Sequence, residues 1–417
     1  MSNIRVPEVF TMDDFDFDGK KVLVRVDFNS PINPRTGEII DDSRIKEHSV
    51  TIDELATKGA AVVIMSHQGR PGGSDFITLE QHAKILSELV SVPVKFIDDV
   101  CGPAAKSEIL KLKPGHVLVL DNVRFHSEEV IERPPGVQAK TYLVKRLAPL
   151  FDIFVLDAFA AAHRSQPSLV GFPMVLPSCA GRVLEKEIKA LQKMFSSESK
   201  PIVFVLGGAK LSDSIRIIEH LLKNDVADHI LATGLLSLLL LHAKGVNIGD
   251  VNVKTLEDVG ALSLTYRIKG VLEKYDDKIM LPKDYAVEEK GERVNKELNE
   301  LTGKAKDIGE KTIEEYSNII RKAKVVVFRG PAGVIEEPIF QKGSVELAKA
   351  AVKSKAFTIF GGGHMRVIAE ILKSEGYKNI GHLSTGGGAL LTFLSGKPLP
   401  ALEALEISLK MFKGVKV

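Results

Sequence analysis

The chain reads as an α/β protein made of parallel, doubly wound sheets and divided into two domains. Three observations predict this. Short unbroken apolar runs, among them VLVL (117–120), IVFVL (202–206) and VVVF (325–328), have the length and β-branched content of strands buried on both faces. They alternate with amphipathic stretches of helical period such as LEQHAKILSEL (79–89), and the order β, α, β, α sets strands parallel with helices as crossovers. At 417 residues the chain exceeds what one hydrophobic core sustains.

In chain order, Lys21 to Phe28 is the first strand, and it ends in charge at Arg25, Asp27 and Asn29. Asp41-Asp42-Ser43 caps a helix that carries Arg44. Ala60 to Met65 is a strand running into Ser66-His67-Gln68-Gly69-Arg70, and Thr78 to Leu89 is helical. Further strands are Val94 to Ile97, His116 to Leu120 (leading to Asn122 and Arg124) and Ile153 to Leu156 (leading to His163 and Arg164), with a helix at Thr141 to Leu147. Ser178 to Phe195 reads as a connecting helix, and the domain boundary is placed at its start.

Beyond it, Ile202 to Leu206 is a strand that exits through Gly207-Gly208-Ala209-Lys210, with Ser212 and Asp213 as N-cap candidates for the helix through Ile215, Ile218 and Leu221. Ile230–Leu231 leads through Gly234 into an apolar helix, and Lys278 to Leu281 is a strand. Glu288 to Leu301 reads as a solvated charged face. The helix Thr312 to Ala323 precedes the strand Val325 to Phe328, and Phe357 to Phe360 leads into Gly361-Gly362-Gly363-His364. His382 to Thr385 opens a last glycine run, Gly386 to Gly388.

Polar groups recur where first-half strands end: Arg25, Asp27, Asn29, His67, Arg70, Asn122, Arg124, His163 and Arg164. The carboxyl ends of strands line the ligand crevice of an open α/β sheet. One such arginine is ordinarily a surface charge or half of an ion pair. Several elements delivering guanidinium forks to one edge point instead to a small, multiply anionic ligand. The second half offers glycine turns into helix starts, whose backbone N–H groups and dipole suit a phosphate chain. Leu235, Leu236 and Leu239 supply apolar walls for an adenine. Taken singly, the turn at Lys210 is also what any βα turn with a solvated lysine looks like. No GxxxxGK[ST] and no GxGxxG occur, which disfavours a Walker A loop and a nicotinamide dehydrogenase.

The formal net charge of +2 gives no field for nucleic acid or membrane, so anion binding must come from local clusters. Cys101 and Cys179 have no metal or redox spacing and read as buried small residues of a reducing compartment. No apolar leader segment is visible and Leu235–Leu241 is too short to span a bilayer. A cytoplasmic location is expected.

With these residues in view, the chain resembles the phosphoglycerate kinase family. The resemblance runs through RVDFNSP (25–31), DDSRI (41–45), MSHQGRP (65–71), LDNVRFH (120–126), DAFAAAHR (157–164), VLGGAKLSD (205–213), RGPAGVIE (329–336), GGGH (361–364) and STGGGALLTFLSGKPLPAL (384–402). It implies reversible phosphoryl transfer between ATP and the carboxyl of 3-phosphoglycerate, giving ADP and 1,3-bisphosphoglycerate, with Mg²⁺ as cofactor. It also implies two Rossmann-like domains joined by a hinge: a 3-phosphoglycerate domain (1–178 plus a returning tail, 400–417) and a nucleotide domain (179–399).

Carried over by position, His67, Arg70, Arg124 and Arg164 would hold the phosphate of the glycerate. Asp27 and Asn29, assisted by Arg25, would orient its other end, with Phe28, Gln68 and Gly69 among the substrate residues. Arg44 and Lys210 match the family's groups beside the phosphoryl in flight. Gly207, Gly208, Glu336, Gly361, Gly362, Gly363, His364 and Met365 match nucleotide contacts, and the metal ligands stay unassigned. The chain departs from the usual motifs at Ser214 (a second lysine), His364 (an aspartate) and Arg329 (an asparagine). No general base is needed, because a carboxylate acceptor is ionised at pH 7. A monomer is expected, with a homodimer as the alternative. Rival readings are another two-domain ATP-dependent small-molecule kinase and a non-catalytic anion- or RNA-binding protein.

Overall fold

The computed structural model describes residues 4–196 and 198–414. The ends of the expected first domain (1–3) and of its tail (415–417) lie outside the described residues. Among the described residues the chain divides into two compact units, 6–189 with 398–414 and 190–397 with 4–5.

In the first unit, strands β1 (Phe10–Thr11), β2 (Lys21–Arg25), β3 (Ala61–Met65), β4 (Val94–Ile97), β5 (Val117–Leu120), β6 (Ile153–Leu156) and β7 (Ser178–Ala180) form one sheet of order β1-β7-β6-β2-β3-β5-β4. Every pairing is parallel, with Val22 beside both Val62 and Ile153. Helices cover both faces, so the central strands are buried on each and need no polar alternation.

Two sequence expectations are corrected here. Ser178–Ala180 is a strand rather than the start of a helix, and the helix runs Arg182–Met194. The reason is tertiary. Asp157, at the end of β6, accepts from the backbone N–H of Val183 and of Leu184, both at 2.9 Å, and so caps this helix from a distant element. Because β7 pairs with β6 and β1, the compact unit continues past Ser178 to Lys189. The helix Pro400–Phe412 packs on this same unit, with Ala401 N–H donating to Ala162 O at 3.2 Å and Ser408 Oγ to Leu176 O at 3.2 Å.

The second unit contains β8 (Ile202–Leu206), β9 (His229–Ala232), β10 (Ile279–Met280), β11 (Asp284–Glu289), β12 (Glu292–Glu297), β13 (Asp307–Ile308), β14 (Val325–Arg329), β15 (Phe357–Gly361) and β16 (His382–Ser384). Six of these make a parallel sheet, β10-β9-β8-β14-β15-β16. The charged run expected as a plain solvated face contains a hairpin, β11 with β12, completed by β13 in a small antiparallel sheet. Its turn is Lys290–Gly291, with φ of 53° and 83°, the double left-handed geometry of a two-residue hairpin turn. Buried Val287 anchors one face while the glutamates stay wet.

The strand orders carry functional meaning. In the first sheet the winding reverses beside β2, and in the second between β8 and β14. Such switch points leave a crevice beyond the carboxyl ends of the strands.

Candidate substrate and nucleotide sites

Beyond the carboxyl end of β2 lies a buried charge cluster. Arg25 is fully buried; its Nε donates to Ser168 Oγ at 2.8 Å, and its Nη2 sits 3.1 Å from His67 Nδ1. Burial, seconded by Arg25, Arg164 and Arg44, drives His67 down to about 3 against the pull of Asp27. His67 is therefore neutral; Nδ1 accepts from Arg25, and the ring proton is left on Nε2 as a donor. Asp27 is almost wholly buried and paired with Arg44, whose side chain remains 36% exposed. Burial pushes the Asp27 carboxyl up, but the surrounding cations, Arg44 foremost, outweigh it and hold the group at about 2. Arg164 is partly buried and Arg70 exposed, and burial first, then the nearby Arg70, disfavours the charge on Arg164. That repulsion suits a pair awaiting a shared anion.

The expected substrate residues divide into those that face the crevice and those that brace it. Phe28 is 0% exposed, with its N–H on Ser66 Oγ at 2.9 Å, so its side chain supports the strand end from within the core. Gln68 is likewise enclosed: Oε1 accepts from Ser30 N–H at 2.9 Å, and Nε2 donates to Ser30 O at 3.0 Å. Arg25 is spent on internal bonds and reaches the crevice only through His67. Gly69 has φ of +65°, and a Cβ there would lie 2.4 Å from Asp75 O. Its N–H goes to Asn29 Oδ1 at 2.8 Å and its carbonyl accepts from Arg124 Nη1. Arg124 is thus oriented by backbone as well as able to bind.

Several contributors escaped the sequence reading. His48 accepts from Asp27 N–H through Nε2 at 3.3 Å and meets Asp157 Oδ2 through Nδ1 at 3.1 Å, tying Asp27 to the cap of a helix. Behind Arg25, Ser168 binds buried Glu129, whose carboxyl is pushed up to about 7 by burial against the pull of Arg25. Asn122, already read from the sequence as a strand-end polar group, holds the 68–69 turn, donating from Nδ2 to Gln68 O at 2.7 Å. His48 lies on the helix Ser43–Thr57 and Glu129 in a short 3-10 helix, and neither falls inside a motif, so only their contacts reveal them.

In the second unit a cavity of about 420 Å³ opens at the β8–β14 switch point, lined by Gly207, Gly208, Lys210, Asp213, Arg329, the 361–365 turn and Gly387–Gly388. Close backbone packing builds it. Gly330 has φ of +84°, and a Cβ there would stand 2.3 Å from Gly207 O, so no larger residue fits. The helix after β8 starts at Leu211 with Lys210 as its N-cap residue, so Ser212 and Asp213 lie in its first turn rather than capping it. Gly207 N–H is engaged by Arg329 O at 2.9 Å and is not available to a ligand. Met365 is buried and borders the cavity without offering a polar group.

A second cavity of about 360 Å³ shares Gly208, Ala209, Pro331 and His364 with the first, and is walled by Leu235, Leu238, Val259 and Glu336. Leu236 and Leu239 point into the core at 0% exposure and are not walls. The helix turns them inward, and Leu238 takes the place expected of Leu239. Glu336 is exposed, 3.7 Å from His364 Nε2 at its Oε1. A glycine-lined polar cavity joined to an apolar one fits a phosphate chain and a planar base.

Comparison with known proteins agrees with this chemistry. The profile described as phosphoglycerate kinase matches residues 12–397. The chain belongs to the phosphoglycerate kinase family. The phosphoglycerate kinase of Sulfurisphaera tokodaii is 52% identical over 99% of both chains, and that of Methanothermus fervidus 46% identical over 95% of this chain and 97% of the other. The crystal structure of phosphoglycerate kinase from Pyrococcus horikoshii superposes with a TM-score of 0.86 at 43% identity, covering 97% of this chain and 100% of that one. The structure of phosphoglycerate kinase from Coxiella burnetii gives a TM-score of 0.80 at 32% identity, over 95% and 99%.

The positions where this sequence departs from the family's motifs, Ser214, Arg329 and His364, all border the larger cavity. Ser214 Oγ folds back on Lys210 O at 3.2 Å instead of extending a charge. Among the described residues no group of three or more His, Cys, Asp and Glu could by itself hold a metal ion. Mg²⁺ in nucleotide sites is commonly held by one or two carboxylates plus phosphate oxygens. Asp213, the single carboxylate in the cavity lining, meets that need.

Proposed function

We propose that this chain transfers a phosphoryl group reversibly between ATP and the carboxyl of 3-phosphoglycerate, with Arg44 and Lys210 as the charged groups beside the transferring phosphorus. The observation that carries the reading is the pairing of chemistries. The first sheet's switch point gathers arginines and a neutral histidine, and the second's gathers glycine turns, a lysine and an apolar slot.

In this reading, the phosphate of 3-phosphoglycerate is held by Arg70, Arg124, Arg164 and His67 Nε2. Asn29 and Asp27 face the glycerate hydroxyl and carboxyl. Asp27 also steers Arg44, because their ion pair fixes where the guanidinium starts before ligand binds. The nucleotide places its phosphates along Gly208, Lys210 and Gly361–Gly363, its base against Leu235 and Leu238, and its ribose near Glu336. When bound, Mg²⁺ supplies charge neutralisation at the phosphates, with Asp213 as the side chain that would hold it.

Catalysis then rests on positioning and electrostatics rather than on a covalent intermediate or a general base. The two ligands must meet, so a closing motion belongs to the cycle. We further propose that the chain acts as a monomer in the cytoplasm, without nucleic-acid or membrane partners. Free, buried Cys101 and Cys179 are compatible with a reducing compartment, and no described helix is long and apolar enough to cross a membrane.

A substrate panel in a coupled assay of ADP release tests the reading. ATP turnover that depends on 3-phosphoglycerate supports it. Turnover with another carboxylate or sugar phosphate and none with 3-phosphoglycerate refutes it.

A further inference from the structure

Arg329, the last residue of β14, lines the larger cavity among Gly207, Lys210, Gly361 and Gly362. Its side chain lies across the glycine turn. A Cβ on Gly362 would come within 2.9 Å of Arg329 Nη1, and one on Gly361 within 3.6 Å of its Cδ. Any larger residue at 362 would meet the guanidinium directly.

Arg329 has no partner for its guanidinium. Its Nε is buried with no hydrogen-bond acceptor, and among the described residues its guanidinium makes no hydrogen bond or ion pair. Other enclosed arginines are engaged: Arg25 with Ser168, Arg124 with Gly69, Arg182 with Asp13 and Glu54, and Arg293 with Ile308 O although its Nε is also bare. The guanidinium of partly buried Arg164, in the candidate anion site of the first unit, likewise makes no hydrogen bond or ion pair among the described residues. Burial disfavours the charge on Arg329, and the carboxylate acting on it, Asp213, lies too far off to form an ion pair. A half-buried guanidinium without an acceptor costs stability in the free protein. Its side chain lines a polar cavity that has Lys210 for a second cation and Asp213 for its carboxylate.

We propose that Arg329 is a specificity-determining ligand of the nucleotide's terminal phosphates, carrying part of the neutralisation that a divalent cation otherwise supplies. The proposal rests on reading this cavity as the phosphate pocket. Its consequence is distinctive: the guanidinium favours the more negative, metal-free nucleotide over the metal complex, because the ion already offsets charge in the latter. Nucleotide affinity in this chain should therefore depend only weakly on divalent cation.

Isothermal titration calorimetry of the full chain with ADP and with adenosine, in EDTA and in Mg²⁺, tests this. Arg329→Met should weaken ADP binding in EDTA by about tenfold or more, the loss of a charge-assisted hydrogen bond. The loss in Mg²⁺ should be smaller, and adenosine should bind as in the wild type. Arg329→Lys keeps the charge and loses the fork, so it should recover part of the affinity. If the methionine variant fails to fold by circular dichroism, the lysine variant alone carries the comparison, with a loss for ADP in EDTA expected.

Unchanged ADP affinity in EDTA, an equal loss for adenosine, or a larger loss in Mg²⁺ would each overturn the proposal. Should wild-type protein bind ADP no tighter than adenosine, the phosphate-pocket reading itself falls. If the wild type discriminates and the variants match it, only the role of Arg329 is wrong.

Discussion

Arg44→Ala separates catalysis from stability in a way the geometry makes quantitative. Arg44 is the foremost cation opposing the burial of Asp27, whose carboxyl moves from its ordinary 3.8 to about 2. That depression corresponds to roughly 2 kcal/mol of stabilisation at neutral pH. Removing Arg44 forfeits a large share, about 1–2 kcal/mol. The sign follows from a depressed carboxylate: the stabilisation is complete above pH 3.8 and is lost as pH falls through 3.8 towards 2. The wild type and variant should therefore differ in denaturant midpoint at pH 7 and converge near pH 2. Turnover should fall by about 10²–10³-fold, the scale of losing one transition-state donor. Asp27→Asn in the Arg44→Ala background removes the stranded charge, so it should restore much of the stability and none of the turnover. The measurements are steady-state kinetics in a coupled assay and urea titrations monitored by circular dichroism. Wild-type turnover in folded Arg44→Ala protein would refute the assignment, and an unchanged midpoint at pH 7 would refute the electrostatic account of Asp27.

Three further outcomes follow from the same geometry. Arg124→Ala should chiefly raise the KM for 3-phosphoglycerate, by about tenfold or more, because it loses a phosphate donor and frees the Gly69 carbonyl; a kcat loss with unchanged KM would contradict this. Lys210→Ala should lower kcat by about 10²-fold or more while leaving 3-phosphoglycerate binding by calorimetry intact, and comparable turnover would remove the residue from the mechanism. Gly330→Ala forces a Cβ against Gly207 O in a left-handed backbone. It should cost about 2 kcal/mol or more and abolish ADP binding with little effect on 3-phosphoglycerate binding, so retained ADP affinity would show that the turn can give.

Much of the architecture was readable because buried parallel strands announce themselves. Runs such as IVFVL and VVVF have no polar face to hide, and a glycine directly after a strand is a local signal. Elements whose cause is non-local were misread. Ser178–Ala180 looks helical beside Arg182–Met194 until it pairs with β6, and that helix is capped by Asp157. The hairpin at Lys290–Gly291 was hidden by charge that sits on its wet face. Side-chain direction was the harder matter still. Leu236 and Leu239 turn into the core and Leu235 and Leu238 into the cavity, a difference of helical phase that composition does not carry. Phe28 and Gln68 sit inside a motif yet are enclosed.

The amino-acid sequence by itself determined the fold class, the family and the inventory of charged and glycine residues at strand ends, since each depends on local hydrophobic period and residue type. Which of those residues face a ligand, which brace others, and which stand without a partner was decided only by the tertiary structure. Burial and pairing are properties of distant segments brought together: His48 reaches Asp27 and Asp157 across the chain, and Arg329 is left with donors to spare because no neighbouring element brings it an acceptor.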